Sequence, residues 1–291
     1  TTVTWDNVDT LWVREDFEVG RTSLDAEAGT DIDITGTASL PNMSSFTVSE
    51  GRLRVGGVGT GSGFTADANI TGRMDISGAT MSVDDYVQVG FWGFSNTFSE
   101  PAASQGVTID GELIISNGSL TTPITQIATT ESGEAATITG RLALNPSYLN
   151  TNLLQVGEGG TVVLEVGGTT PASVMPGPGS YSQIDALEAQ INGTVEVVFG
   201  PLIPGGDNTF ELLRVSGPLT LGPNAEFVLM DPPPGVEVNQ FEVIDVNGTS
   251  ILTLGISGGL EFTPIAVNHP VALLLLILSV LGVAMVSRRL V

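Results

Sequence analysis

The sequence predicts an all-β chain, a parallel β-helix or solenoid, followed by one C-terminal transmembrane helix. Three observations carry that prediction. Short apolar runs bounded by Gly, Asn, Asp and Pro recur at roughly ten- to twenty-residue intervals, the mark of strands separated by turns. A five-residue phrase (Gly, a polar or small residue, an apolar one, a variable one, another apolar one) returns along the chain. The last stretch, Val271–Val291, carries no charge until Arg288-Arg289.

Residues 1–20 interleave Trp5, Trp12 and Phe17 with Asp6, Asp9, Glu15, Asp16 and Glu18. Because the end of a solenoid leaves strand edges and apolar interior open, this amphipathic stretch is expected to form an N-terminal cap. Residues 21–166 are predicted as the solenoid body. The phrase appears as Gly51-Arg-Leu-Arg-Val, Gly72-Arg-Met-Asp-Ile, Gly111-Glu-Leu-Ile-Ile, Gly140-Arg-Leu-Ala-Leu and Gly160-Thr-Val-Val-Leu, and again as Gly193-Thr-Val-Glu-Val. Neighbouring glycines are 21, 39, 29, 20 and 33 residues apart. A coil of about twenty residues, at times doubled or carrying an insertion, accounts for these gaps. Apolar residues two apart on a strand face the interior and those between face water, while Gly before each strand permits a corner. The same pattern fits a β-sandwich.

These phrases resemble those of autotransporter-type passenger domains, in which Gly-x-Leu-x-Ile-Ser-x-Gly strands stack into a parallel β-helix. Gly111–Leu120 and Gly72–Met81 carry the resemblance best. The segment Tyr181–Val215 is similar to the closing part of such passengers, through Tyr181, Gln183, Gly193, Pro204, Gly206, Asp207, Phe210 and Leu212. The resemblance implies an architecture and no enzyme.

Gly56–Gly63 reads as a flexible loop; no Lys-Ser/Thr follows it, so it is not a phosphate loop. Phe91–Pro101 reads as an insertion whose Phe91, Trp92, Phe94 and Phe98 pack over a coil or form a contact surface for a partner or an extracellular glycan. Residues 167–182, with Pro171, Pro176 and Pro178, are expected to be a Pro/Gly-rich loop or linker, and Tyr181–Gln190 has a hint of helical period. Residues 183–263 hold predicted strands at Thr194–Phe199, Thr209–Val215, Glu226–Met230, Glu237–Val246 and Ile251–Leu254, with a rigid turn at Asp231–Gly235. They form either the C-terminal part of the solenoid or a small β-domain.

Residues 264–291 are the predicted anchor. Val271, Leu273, Leu276, Leu281 and Val286 belong to an uncharged run long enough, at about 1.5 Å per helical residue, to reach roughly 25 Å into a hydrocarbon core of about 30 Å. Arg288 and Arg289 hold their end in the cytoplasm, which places the preceding residues on the other side, in the periplasm or at the cell surface. The order Asn268-His269-Pro270, Val271–Ser287, Arg288-Arg289 resembles sorting signals of the PEP-CTERM and IPTL-CTERM kind. That resemblance implies cleavage by an exosortase-type transpeptidase. No Pro-Glu-Pro or Ile-Pro-Thr-Leu precedes the span, and retention of the anchor is the expectation. The absence of an initial Met fits a removed signal peptide.

The formal net charge is −23, and all nine basic residues are arginine. Such a surface excludes binding to nucleic-acid phosphates and suits either a saline medium or an outer-surface location. Without cysteine, stability rests on the core alone. The single histidine, His269, stands at the membrane boundary, so Ser-His-Asp and Cys-His sites are excluded from the exported part. The close acidic pairs Asp84-Asp85 and Asp31-x-Asp33 are read as turn carboxylates, with sugar cleavage or calcium binding as the alternative. Five Asn-x-Ser/Thr sequons, at Asn42, Asn69, Asn117, Asn192 and Asn247, are read as bare, three of them as Asn-Gly turns. No catalytic residue, cofactor or metal is predicted. The expected partners are the lipid bilayer, other subunits of a membrane or surface assembly that pack on Gly282, Ala284 and Ser287, and extracellular glycans. The expected function is that of an exported, membrane-anchored structural or adhesive surface protein, non-enzymatic. A single-span accessory subunit of a larger assembly and a polysaccharide-active β-helix enzyme are the alternatives.

Overall fold

In the computed structural model the residues described are 2–5, 8–24, 32–60, 67–94, 106–130, 137–200 and 206–258. They are all-β, without a helix, and most sheet pairings are parallel. The chain winds in successive turns. The first holds β1 (Thr2–Thr4), β2 (Thr10–Val13) and β3 (Phe17–Leu24), and the second β4 (Ile32–Leu40), β5 (Ser45–Val48) and β6 (Leu53–Thr60). Next come β7 (Ala68–Ser77), β8 (Thr80–Val83) and β9 (Tyr86–Phe94), then β10 (Val107–Ser116) with β11 (Ser119–Thr130), then β12 (Thr137–Asn145) with β13 (Tyr148–Val156). The following turn has β14 (Gly160–Val166), β15 (Thr170–Pro171), β16 (Ser180–Tyr181) and β17 (Gln183–Ile191). The last has β18 (Thr194–Phe199), β19 (Asn208–Val215) and β20 (Leu219–Leu221), before β21 (Glu226–Leu229), β22 (Val236–Val246) and β23 (Thr249–Gly258).

Equivalent strands of successive turns pair in parallel, an arrangement consistent with a β-solenoid. One face runs β1-β4-β7-β10-β12-β14-β18-β21. Its register stacks identical positions: Leu40, Ile76, Ile115, Leu144 and Leu164 form one inward column. All five are fully buried, and each such side chain contributes about 1.5–3 kcal/mol. The other two faces meet at a corner. There the inward positions of β17 are Ile184, Ala186, Ala189 and Ile191, because one extra residue is accommodated where the strand bends. That spacing of two, three and two imitates a helical period, which explains the helical hint at Tyr181–Gln190; it is a strand.

Several expectations are corrected by the pairing. Residues 1–20 are not a cap: β1, β2 and β3 pair in parallel with β4, β5 and β6 and so form the first turn itself. Its core residues Trp5, Val8, Leu11, Val13 and Phe17 are only partly buried, and Trp12 is 61% exposed. Gly51 is not in the glycine column of the other phrases; it lies on a different face, just before β6. Gly56–Gly59, read as loop, belongs to β6. Residues 167–182 are no linker, since Ala172, Ser180 and Ser182 are buried and the Ser182 hydroxyl donates to the Leu144 carbonyl at 2.5 Å. Residues 183–258 continue the same faces, closed by the antiparallel β22–β23 hairpin on β19.

Of the phrase's glycines, Gly72, Gly111 and Gly140 stand inside strands and not at corners, Gly160 begins β14, and Gly51 and Gly193 precede β6 and β18. Gly36, Gly72, Gly111, Gly140 and Gly160 are in register with one another. A Cβ on Gly36, Gly72 or Gly111 would stand 2.2–2.3 Å from the backbone nitrogen of Gly20, Gly56 or Gly90, on the face opposite. Those opposing glycines have φ of 60°, 65° and 64°, and Ala128 continues their column with φ 49°. Two backbones therefore touch along a seam, and the seam divides the interior. On one side lies the main core; on the other, a smaller cluster of Val58, Ala68, Ile70, Trp92, Val107 and Ile109. The main lobe takes 20, 18, 17 and 17 residues from seam to seam, Gly36 to Gly56, Gly72 to Gly90, Gly111 to Ala128 and Gly140 to Gly157. The return takes 16, 16, 21, 12 and 3, through Gly20 to Gly36, Gly56 to Gly72, Gly90 to Gly111, Ala128 to Gly140 and Gly157 to Gly160. The second lobe thus ends after β12.

Candidate functional site

Where the second lobe ends, the described surface has a step. On the outer side of β9, β11, β13 and β17, one residue before each inward Val or Ile, stand Gln88, Gln126, Gln155 and Gln190. Register places them in one column beneath Arg54. Arg54 Nε donates to Gln88 Oε1 at 2.9 Å, and Gln88 Nε2 to Gln126 Oε1 at 2.8 Å. The chain continues from Gln126 Nε2 to Gln155 Oε1 at 2.9 Å, from Gln155 Nε2 to Gln190 Oε1 at 3.2 Å, and from Gln190 Nε2 to Glu188 Oε1 at 2.9 Å. Its direction is set by its ends, because a guanidinium only donates and a carboxylate only accepts. Arg54 is 6% exposed and is held by Asp16 at 2.8 Å and Glu18 at 2.7 Å. Each amide spends one donor and one acceptor on the ladder and keeps one of each.

The lower part of this ladder opens into a recess of about 760 Å³. Gln126 and Gln155 form one wall. Above them the end of β11, with Thr129 and Thr130, and the start of β12, with Thr137, Ile138 and Thr139, overhang as the last rung of the second lobe. Below lie the tight turn Gly157-Glu158-Gly159 and Asn192; Phe91 and Ala128 complete the described lining. Thr129 Oγ1 is buried and has no hydrogen-bond partner among the described residues. Among the described residues of the lining Glu158 is the only ionisable side chain; the others offer neutral donors and acceptors and apolar surface.

Of the carboxylates singled out in the sequence, Asp33, Asp84 and Asp85 do not gather there. Asp84 and Asp85 turn the corner between β8 and β9: Asp84 Oδ2 accepts from the Glu50 amide at 3.4 Å and Asp85 Oδ2 from Arg52 Nε at 3.0 Å. Arg52 also lies 4.4 Å over the Tyr86 ring. Asp33 accepts from Asn69 at 2.9 Å, and Asp31 lies outside the described residues. Among the described residues, no group of three His, Cys, Asp or Glu is placed to hold a metal ion. Comparison with protein-family profiles and with curated protein sequences gives no match.

Of the aromatic contact residues, Phe91 and Trp92 lie within β9 and not in an insertion. Trp92 is 1% exposed in the smaller core, so it does not form a contact surface, and Phe91 shows only an edge to the recess. Phe94 ends β9 and Phe98 lies outside the described residues. So does the whole anchor, from Val271, Leu273, Leu276, Leu281 and Val286 to Arg288 and Arg289. Among the described residues no helix is long and apolar enough to cross a membrane. Asn117 and Asn247 sit at φ 55°, as turn chemistry requires of Asn-Gly.

Elsewhere the outer faces carry ionisable groups bound into the fold. Tyr148 donates to Asp185 Oδ2 at 2.8 Å, and burial together with that bond pushes its hydroxyl up to about 12. Burial also raises the Glu165 carboxyl above its ordinary value. The ladder escaped the sequence reading, although its signal is present: a glutamine directly precedes Val89, Ile127, Val156 and Ile191.

Proposed function

We propose that the chain is an exported, membrane-anchored surface protein with a structural or adhesive, non-enzymatic role. The observation that carries this reading is the uncharged run Val271–Val286 ending in Arg288-Arg289, placed directly after a regular stack of β-turns. Stacked parallel turns make an elongated scaffold from local contacts alone, which suits display away from a membrane. The three-part tail, similar to PEP-CTERM signals, and the passenger-like phrases of the β-region support the same reading. The charge of −23 accords with an exterior setting and with a partner other than nucleic acid. Fractionation of the producing cells tests it: the intact chain is expected in the membrane fraction, accessible to protease from outside. Recovery in the cytosol refutes the reading, and an intact mass lacking residues 270–291 refutes retention of the anchor.

A second reading, an accessory subunit of a larger envelope assembly, is favoured by the hairpin that ends the stack. β22 is an edge strand, and its Val243, Ile244 and Val246 are 45%, 40% and 45% exposed. Exposed apolar residues on an unpaired strand edge are a docking feature. A monodisperse monomer in mild detergent argues against this reading.

A further inference from the structure

We propose that the recess beside the glutamine ladder binds a neutral saccharide. The inference deepens the adhesive reading and rests on it only for access, since an exported protein meets polysaccharide.

The volume, about 760 Å³, lies within the roughly 300–1,000 Å³ of sites that take small organic ligands. The donor set decides the ligand class. Gln126 and Gln155 are held in place by their ladder bonds and are only partly buried. Each presents one remaining N–H and one remaining lone pair, repeated at the rung spacing of about 4.8 Å. A sugar hydroxyl both donates and accepts, so a row of hydroxyls matches a row of such amides; an ammonium ion would use only the acceptors and a carboxylate only the donors. Ile138 and the exposed edge of Phe91 supply apolar surface against which the C–H groups of a sugar can rest. The excess of negative charge on the protein, with Glu158 in the lining, disfavours uronate-containing chains. An extended peptide is a poorer match, because it needs separate pockets for alternate side chains, and the apolar side chains of the described lining are Phe91, Ala128 and Ile138 alone. Preorganisation strengthens the case: amides already fixed by the ladder lose little side-chain freedom when a ligand arrives.

The test is calorimetric titration of the full chain, kept in a detergent with a phosphocholine head so that no detergent sugar competes. The probes are cellohexaose, xylohexaose, mannohexaose, maltohexaose, a galacturonate hexamer and a neutral Gly-Ser-Thr decapeptide. Saturable binding of at least one neutral hexaose is expected, with none to the galacturonate. Gln155→Met should weaken that binding roughly tenfold, the effect of losing one good hydrogen bond. Because a ladder variant can disturb the fold, Thr130→Val combined with Thr137→Val, at exposed positions of the overhang, should weaken it by a similar factor. Thr121→Val, at an exposed position of β11 outside the recess and off the ladder, should leave affinity unchanged. Absence of binding to every neutral hexaose overturns the proposal, as does binding that Gln155→Met and the threonine pair leave intact, or binding of the decapeptide alone. None of these outcomes touches the surface location, which fractionation tests separately.

Discussion

Gly111→Ala places one methyl group into the seam. Its Cβ would stand 2.2 Å from the Gly90 nitrogen and 2.3 Å from the Val55 carbonyl oxygen, where van der Waals contact begins near 3.4 Å. Relief requires an opening of about 1 Å between backbones that are hydrogen-bonded to neighbouring strands on both sides, so no side chain can turn away. Overpacking costs about 1–3 kcal/mol where side chains can adapt; here the loss should be at least ~3 kcal/mol, because only backbone can yield. Gly78→Ala is the control. Gly78 has φ 79° but its nearest obstacle, the Met43 carbonyl oxygen, is 3.4 Å away, so the cost is the left-handed conformation alone, about 1–2 kcal/mol. Urea unfolding followed by far-ultraviolet circular dichroism ranks the two. If Gly111→Ala unfolds at the same midpoint as Gly78→Ala or later, the seam is not a close backbone contact and the division of the interior into two lobes is wrong.

Arg54→Leu leaves Asp16 and Glu18 facing each other without their cation and should cost about 3 kcal/mol, the low end for a broken buried ion pair, since both carboxylates are about a third exposed. Arg14→Leu, which breaks a pair 69% exposed on both sides, should cost under ~1 kcal/mol in the same unfolding assay. Glu165 holds its proton more tightly folded than unfolded, so stability falls as pH rises from 4.5 through the raised folded value. Glu165→Gln should therefore raise the melting temperature at pH 7 and leave it unchanged at pH 4; a gain at both refutes the burial cause. Leu276→Arg should cost ~3 kcal/mol of membrane insertion and move the protein out of the membrane fraction.

How much of this was legible in the residues depends on which interaction wrote the signal. The inward columns were legible because burial forces a period of two: Met74 and Ile76 alternate with Arg73 and Asp75 in the sequence and are neighbours of Leu113 and Ile115 in the stack. Four strands, β18, β19, β21 and β22, were placed within a residue for the same reason, whereas the short β20 was missed and Ile251–Leu254 was drawn too short for β23. The glycines were noticed but misread. Gly72 and Gly111 share a column because of what faces them across the interior, Gly56 and Gly90, and no local pattern records that contact. The open first turn was read as a cap because Trp5 and Phe17 beside carboxylates look amphipathic, whether a strand ends a stack or lies across it. The recess left the faintest trace, since its lining comes from four strands and the turns after two of them and is assembled only by register.

A seam that isolates one lobe from the other also changes what an insertion costs. Residues added between Gly56 and Gly72, or between Gly90 and Gly111, lengthen a path that returns to the same glycine column, whereas an addition between Gly72 and Gly90 must be absorbed at a corner, because within a strand it would turn that strand's inward side chains outward. The turn from Gly140 to Gly160 completes a circuit with only three residues on the return side, so the second lobe is dispensable rung by rung. Change in length is thereby channelled to one flank of the stack. New loops, and whatever they bind, can be gained or lost there while the register of the scaffold stays fixed.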